Sequence, residues 1–141
     1  MRFSDNVILN GRIDMIELLS ADNTVRVHDF KTGKIKSRSQ IDGSNEKNRA
    51  NYFRQLVFYK ILLDKHKEGL FKMKEGVIDF VEPDEKGRFR DEVFTVSDKD
   101  VKELEELIKS VADQIINLKF WDQKCKDQNC EYCKLRNMVF S

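Results

Sequence analysis

Three features of the chain predict an α/β fold in which strands come in pairs and long helices separate them. Residues 10–18 and 25–33 alternate apolar or branched side chains with polar ones, the period of half-buried strands, and the polar stretch 19–24 returns one beside the other. Residues 46–66 carry a helical apolar periodicity, and residues 76–96 form a second strand pair. A further amphipathic segment, residues 97–119, supplies a helix to cover the sheet.

Taken in order, residues 2–10 read as a first strand that runs directly into Gly11. The pair 10–18 and 25–33 follows as an antiparallel hairpin. Residues 32–45 are polar and contain Ser, Lys and Gly, the composition of a mobile loop. In the helix 46–66, Ala50, Phe53, Leu56, Val57, Leu62 and Leu63 make a broad apolar surface, and Gly69 is the expected stop. Residues 76–82 and 88–96 pair across a turn that starts at Pro83 and ends at Gly87. Ser97 and Asp100 have the spacing of a capping box for the last helix, with Asp in place of the usual Glu or Gln. Its stripe of Val101, Leu104, Leu107, Ile108, Val111, Ile115 and Leu118 is expected to pack on the sheet. The acidic face of Asp98, Asp100, Glu103, Glu105 and Glu106 points outward, away from any nucleic acid.

At 141 residues, with 40% hydrophobic and 36% charged, the chain has the size and composition of one soluble domain rather than of a disordered segment. No apolar run is long enough to cross a bilayer and no signal-peptide core is present, so a cytoplasmic location is expected. The net charge of +1 excludes nothing, because Lys31, Lys34, Lys36 and Arg38 are concentrated in one stretch.

In a strand, Asp29 and Lys31 share a face while Phe30 points into the opposite layer. A carboxylate and an amine so placed can serve a metal-bound water and a phosphate; they also suit a solvated cross-strand charge pair. A second acid, Asp14, lies in the preceding strand and comes beside Asp29 when the two strands pair. Two adjacent carboxylates repel, and a hard divalent cation with oxygen ligands resolves that repulsion. Gln55 and Tyr59, four apart on the long helix with Tyr52 one turn earlier, face one way. His28 and His66 are too isolated for a metal pair; His28 reads as a core or sheet-surface histidine, and Asp79, a weak candidate for the site, as sheet surface.

The pattern Gly11-x-Ile13-Asp14, then Asp29-Phe30-Lys31-Thr32-Gly33, then Gln55-x-x-x-Tyr59 closely resembles the PD-(D/E)XK nuclease superfamily, in its RecB/AddB-like branch. The resemblance implies a restriction-endonuclease-like core, a mixed β-sheet flanked by helices, over residues 1–120, with residues 121–141 as a cysteine-containing tail. It implies that Asp14, Asp29 and the Phe30 carbonyl hold Mg²⁺ or Mn²⁺, that Lys31 orients a water and offsets phosphate charge, and that Gln55 holds the water or phosphate. Tyr59 would bound the DNA channel, and Lys34, Lys36 and Arg38 would meet the DNA backbone. The implied activity is hydrolysis of DNA, with exonuclease action on single-stranded ends fed by a helicase domain in the same or a partner chain, in DNA repair. A nuclease fold that binds DNA or a partner without cutting is the alternative. Such proteins begin with a helix that carries a His or acidic ligand; none precedes Met1, so the chain is expected to be the C-terminal part of a larger protein.

Cys125, Cys130 and Cys133 follow the last helix. Close cysteines in a cytosolic chain point to metal rather than disulfides, but three thiolates are one short of a closed site. An iron–sulfur cluster, zinc and free thiols all remain open. The resemblance implies a [4Fe–4S] cluster whose fourth ligand lies outside this chain.

Overall fold

Strand β4 (Thr24–Lys31) is central to a four-stranded sheet of order β3-β4-β5-β6, completed by β3 (Met15–Leu18), β5 (Lys72–Phe80) and β6 (Arg90–Phe94). The structure, a computed structural model, describes residues 2–4, 7–44, 51–119, 123, 125–127 and 129–139. The β3–β4 and β5–β6 pairs are antiparallel and β4–β5 is parallel, so the sheet is mixed. Helix α2 (Tyr52–Lys65) lies in the long connection that the parallel pair requires. The strands and helices make the α/β architecture that the periodicity predicts, and the mixed sheet flanked by helices is the form that the resemblance implies.

Inward side chains of alternate strand positions fill the core. Val25 and Val27 of β4, Met73, Ile78 and Phe80 of β5 and Phe94 of β6 pack against Leu56, Val57, Tyr59 and Leu63 of α2. Gly76 sits on this inner face because a Cβ there would meet Leu56 Cδ2 and Met73 Cε at 2.9 Å; its lack of a side chain lets α2 approach β5. The turn before β4 is fastened by Asp22, which accepts the Thr24 hydroxyl at 2.8 Å, and Asn23 takes φ 62°.

Several expectations need correction. Residues 2–10 are not one strand: β1 (Arg2–Ser4) and β2 (Val7–Ile8) pair with each other in a separate two-stranded sheet. The 32–45 stretch is not loop throughout. Ser37 and Gln40 form a capping box for a short helix, α1 (Arg38–Ile41), whose Ile41 is fully buried in the core. Helix α2 begins at Tyr52, and residues 46–50 of the expected helix, Ala50 among them, lie outside the described residues. It is followed by a 3-10 turn (His66–Glu68) and by Gly69 at φ +79°, the expected stop.

Helix α3 (Asp98–Ile116) carries the expected box: Asp100 accepts the Ser97 N–H at 2.9 Å and donates its own N–H to Ser97 Oγ at 3.2 Å. Val101 and Leu104 of its stripe pack on the core; Leu107, Val111, Ile115 and Leu118, in the part of the helix beyond Glu106, are exposed. Glu105, expected to face outward, pairs with Lys65 of α2 at 2.9 Å.

The chain divides into two compact units, Met1–Glu106 and Leu107–Ser141, with the division inside α3. The second unit contains the end of α3 and a helix the sequence reading missed, α4 (Glu131–Val139). Among the described residues no helix is long and apolar enough to cross a membrane.

Candidate active site

Asp29 is the one buried charged residue among the described residues, 1% exposed on the inner face of β4. A carboxylate there costs several kcal/mol unless its oxygens are matched. Oδ1 is matched: it accepts the Tyr59 hydroxyl at 2.8 Å. Oδ2 makes an ion pair with Lys31 but accepts no hydrogen bond of proper geometry.

Lys31, two residues along the same strand, is held from α2. Its Nζ donates to Gln55 Oε1 at 2.7 Å and lies 4.7 Å from the centre of the Tyr52 ring. Gln55 Nε2 in turn donates to the Tyr59 hydroxyl at 2.7 Å. The four side chains therefore close a ring, Lys31 to Gln55 to Tyr59 to Asp29 and back. Each donor meets an acceptor, and the ring fixes which way the Gln55 amide points. The sequence builds it simply: an i, i+2 pair on a strand faces residues 52, 55 and 59 on one side of a helix.

Asp14 comes from the segment just before β3. The ladder ends at the pair Met15↔His28, and Asp14 and Asp29 are each the next residue beyond it. Asp14 Oδ2 accepts the backbone N–H of Phe30 at 2.9 Å. Its side chain thus replaces the strand partner that Phe30 lacks on this edge. Gly11 lies against Leu62 and Phe58 of α2, where any side chain would collide with Leu62.

Burial pushes the Tyr59 phenol above its ordinary range, helped by the hydrogen bond to Asp29, the Asp29 charge and the charge of Asp14. The phenol therefore keeps its proton and stays a donor to Asp29. Tyr59 is 3% exposed, so it does not line a channel, as the resemblance implied; it positions Asp29 from beneath. Tyr52 was visible on the right helix face, but no sequence signal gave it contact with the Lys31 ammonium.

The donor set fits a hard divalent cation. Asp14 and Asp29 supply oxygens from neighbouring segments, and Asp29 Oδ2 is buried without a hydrogen-bond donor. The Phe30 ring is exposed on the opposite face, beside His28. His28 joins Asp79 at 2.7 Å and Glu17 at 3.3 Å on that outer face, as expected for sheet-surface residues.

The three cations expected on the DNA backbone have different surroundings. Lys34 lines a cavity between the Gly33–Ile35 segment and the β5–β6 turn. Lys36 is partly buried. Arg38 is engaged by β6: its Nη1 donates to Glu92 at 3.2 Å and to the Val93 carbonyl at 3.0 Å, and its guanidinium lies 4.2 Å from the Phe94 ring centre.

Within the second unit, the sulfurs of Cys125, Cys130 and Cys133 lie within 4.8 Å of one another, with Cys125 and Cys133 3.3 Å apart. Cys130 immediately precedes α4, and the backbone N–H of Cys133 draws its thiol below the ordinary value. Hydrogen bonding among the sulfurs raises that of Cys125.

The comparisons agree with the geometry. A family model described as the PD-(D/E)XK nuclease superfamily matches residues 1–138. No curated protein and no solved structure gives a significant match.

Proposed function

The chain belongs to the PD-(D/E)XK nuclease superfamily, and from that premise we propose that it is a Mg²⁺- or Mn²⁺-dependent deoxyribonuclease. The observation that carries the reading is the closed ring of Lys31, Gln55, Tyr59 and Asp29, with Asp14 fastened beside it. A retired site would have no need to keep a buried carboxylate whose two oxygens are held by a tyrosine hydroxyl and a lysine ammonium.

Asp14, Asp29 and the Phe30 carbonyl would hold the cation, which when bound activates water and neutralises phosphate charge. Tyr59 keeps Asp29 in one orientation by donating to Oδ1. Gln55 fixes the Lys31 ammonium, and the Tyr52 ring holds it from another side. Lys31 can then offset negative charge that develops on the scissile phosphate without reorganising at that moment. Lys34 and Lys36 supply backbone contacts. Arg38 does so only by exchanging Glu92 for a phosphate.

Binding should run through phosphates rather than base edges, without sequence preference, and should fall steeply with salt. The motif order and the cysteine trio support a RecB/AddB-like nuclease domain that acts as an exonuclease on single strands delivered by a helicase domain. The trio would hold a thiophilic centre, a [4Fe–4S] cluster or zinc, with a fourth ligand from elsewhere.

Calorimetric titration with Mg²⁺ and Mn²⁺ tests the reading. Saturable binding by the wild type, lost in Asp14→Asn, supports the enzyme. Binding unchanged by that substitution, or DNA held through prolonged incubation with Mn²⁺ without shortening, favours a non-cleaving module.

A further inference from the structure

The turn between β5 and β6 is built more firmly than a plain connection needs. Asp84 Oδ1 accepts the backbone N–H groups of Lys86 at 2.8 Å and Arg88 at 3.0 Å. Its Oδ2 accepts Arg88 Nε at 3.0 Å and Nη2 at 2.7 Å, and these bonds hold the Asp84 carboxyl down at about 2. Backbone bonds Asp84 N–H to Arg88 O and Gly87 N–H to Asp84 O, both 2.9 Å, close the turn, with Gly87 at φ +74°.

This rigid turn holds Phe89 out into solvent, 71% exposed, between Arg88 and Arg90. Phe89 lines a cavity of about 470 Å³ with Ile35, Asp84, Arg88 and Arg90. A second cavity of about 490 Å³, lined by Lys34 and Lys86, shares Ile35, Asp84 and Arg88 with it, so the two adjoin along these residues as neighbouring parts of a cleft. Both walls start at the candidate active site: the Lys31 carbonyl accepts the Val81 N–H at 3.1 Å, one wall begins just after Lys31 and the other just after Val81. The cleft lies outside the carboxyl ends of the parallel strands β4 and β5, where open α/β sheets present ligands.

The lining selects for a particular form of DNA. Lys34 and Lys86 pair with no carboxylate among the described residues, whereas Glu82 and Glu85 stand in the same walls. With Arg88 held by Asp84 and Arg90 by Glu92, and with Glu82 and Glu85 near Lys34 and Lys86, charge gives the cleft a modest pull on phosphates that does not by itself tell a single strand from a duplex. An exposed aromatic ring offers stacking, which only an unpaired base can accept. We propose that this cleft receives the single strand adjoining the scissile phosphate, with an unpaired base on Phe89 and phosphates on Lys34 and Lys86. The proposal rests on the hydrolytic reading of the site and identifies Phe89 as the residue that favours single strands over duplex.

The test is anisotropy of a labelled homothymidine strand, and of a duplex of equal length, with the full chain in EDTA so that nothing is cut. Phe89→Ala should weaken single-strand binding about tenfold, the size of one stacked base, and change duplex binding by less than about twofold. Phe89→Trp should restore the single-strand affinity. Equal single-strand affinity of wild type and Phe89→Ala, equal losses on strand and duplex, no single-strand binding by the wild type, or tighter binding of the matching RNA would each overturn the proposal. Hydrolysis is read separately with Mn²⁺ in wild type and Lys31→Ala. An unaltered rate in Lys31→Ala removes the nuclease reading whatever Phe89 does, and an unaltered affinity in Phe89→Ala removes only the cleft.

Discussion

The carboxylate of Asp14 accepts the backbone N–H of Phe30 at 2.9 Å, next in the chain to the buried Asp29. One side chain thus closes the edge of β4 and brings a second acid to the first. The two roles are separable. Asp14→Asn keeps an oxygen for the Phe30 N–H and removes the charge, whereas Asp14→Ala removes both. Asp14→Asn should melt within about 0.5 kcal/mol of wild type and Asp14→Ala up to about 1 kcal/mol lower, with both losing metal-dependent cleavage. Urea denaturation beside a cleavage assay checks it.

Tyr59→Phe removes the donor to Asp29 Oδ1 and the acceptor for Gln55 Nε2. Leaving buried polar atoms unmatched should cost about 1–3 kcal/mol in a chemical melt. The linked pH effect has a definite sign. The folded phenol holds its proton above the ordinary value of 10.0, so above that pH the unfolded chain binds fewer protons than the folded one. The stabilising contribution is complete below pH 10 and is lost as pH rises through the folded value. Wild-type stability should fall more steeply than that of Tyr59→Phe above about pH 10; parallel curves would contradict the assigned environment.

The grouping of the candidate site's side chains was legible because its parts are local. Period-two alternation put Asp29 and Lys31 on one face, the polar 19–24 turn set the register of Asp14, and helical spacing aligned Tyr52, Gln55 and Tyr59. The depth of each group was not legible. Nothing local says that Tyr59 is buried beneath Asp29 while Phe30 is exposed, because burial depends on which layers cover the sheet. The capping box at Ser37 and Gln40 was present in the sequence but masked by its polar surroundings, with Ile41 the only sign of docking. The stripe of α3 is apolar along its length, and nothing in it singled out Val101 and Leu104 as the residues that meet the core. Phe89 was read only as part of a strand, since exposure of an aromatic ring has no sequence signature.

Gly76→Val places a branched side chain where Leu56 and Met73 already stand 2.9 Å from a modest Cβ. Either α2 retreats from β5 or the core side chains leave their rotamers, at about 1–3 kcal/mol or more. Because α2 carries Gln55 and Tyr59, cleavage should fall along with the melting midpoint. A variant with wild-type stability would show that α2 does not rest on β5 at this point.

The cysteine trio should bind a thiophilic ion. Co²⁺ titration should give thiolate-to-metal charge-transfer absorption in the wild type, and Cys130→Ser or Cys133→Ser should abolish it. Anaerobic reconstitution with iron and sulfide decides between a cluster and zinc. A wild-type spectrum no different from the serine variants would mean that the sulfurs meet without binding metal.

We propose that Asp14, Asp29 and Lys31 form one hydrolytic centre. The most direct measurement follows end-labelled single-stranded and duplex DNA with Mn²⁺, using wild type and Lys31→Ala at matched folded concentration. The wild type should cleave and EDTA should stop it, while Lys31→Ala should lose at least about a hundredfold in rate, as for removal of one transition-state donor. Cleavage at the wild-type rate in that variant, or cleavage that persists in EDTA, would contradict it.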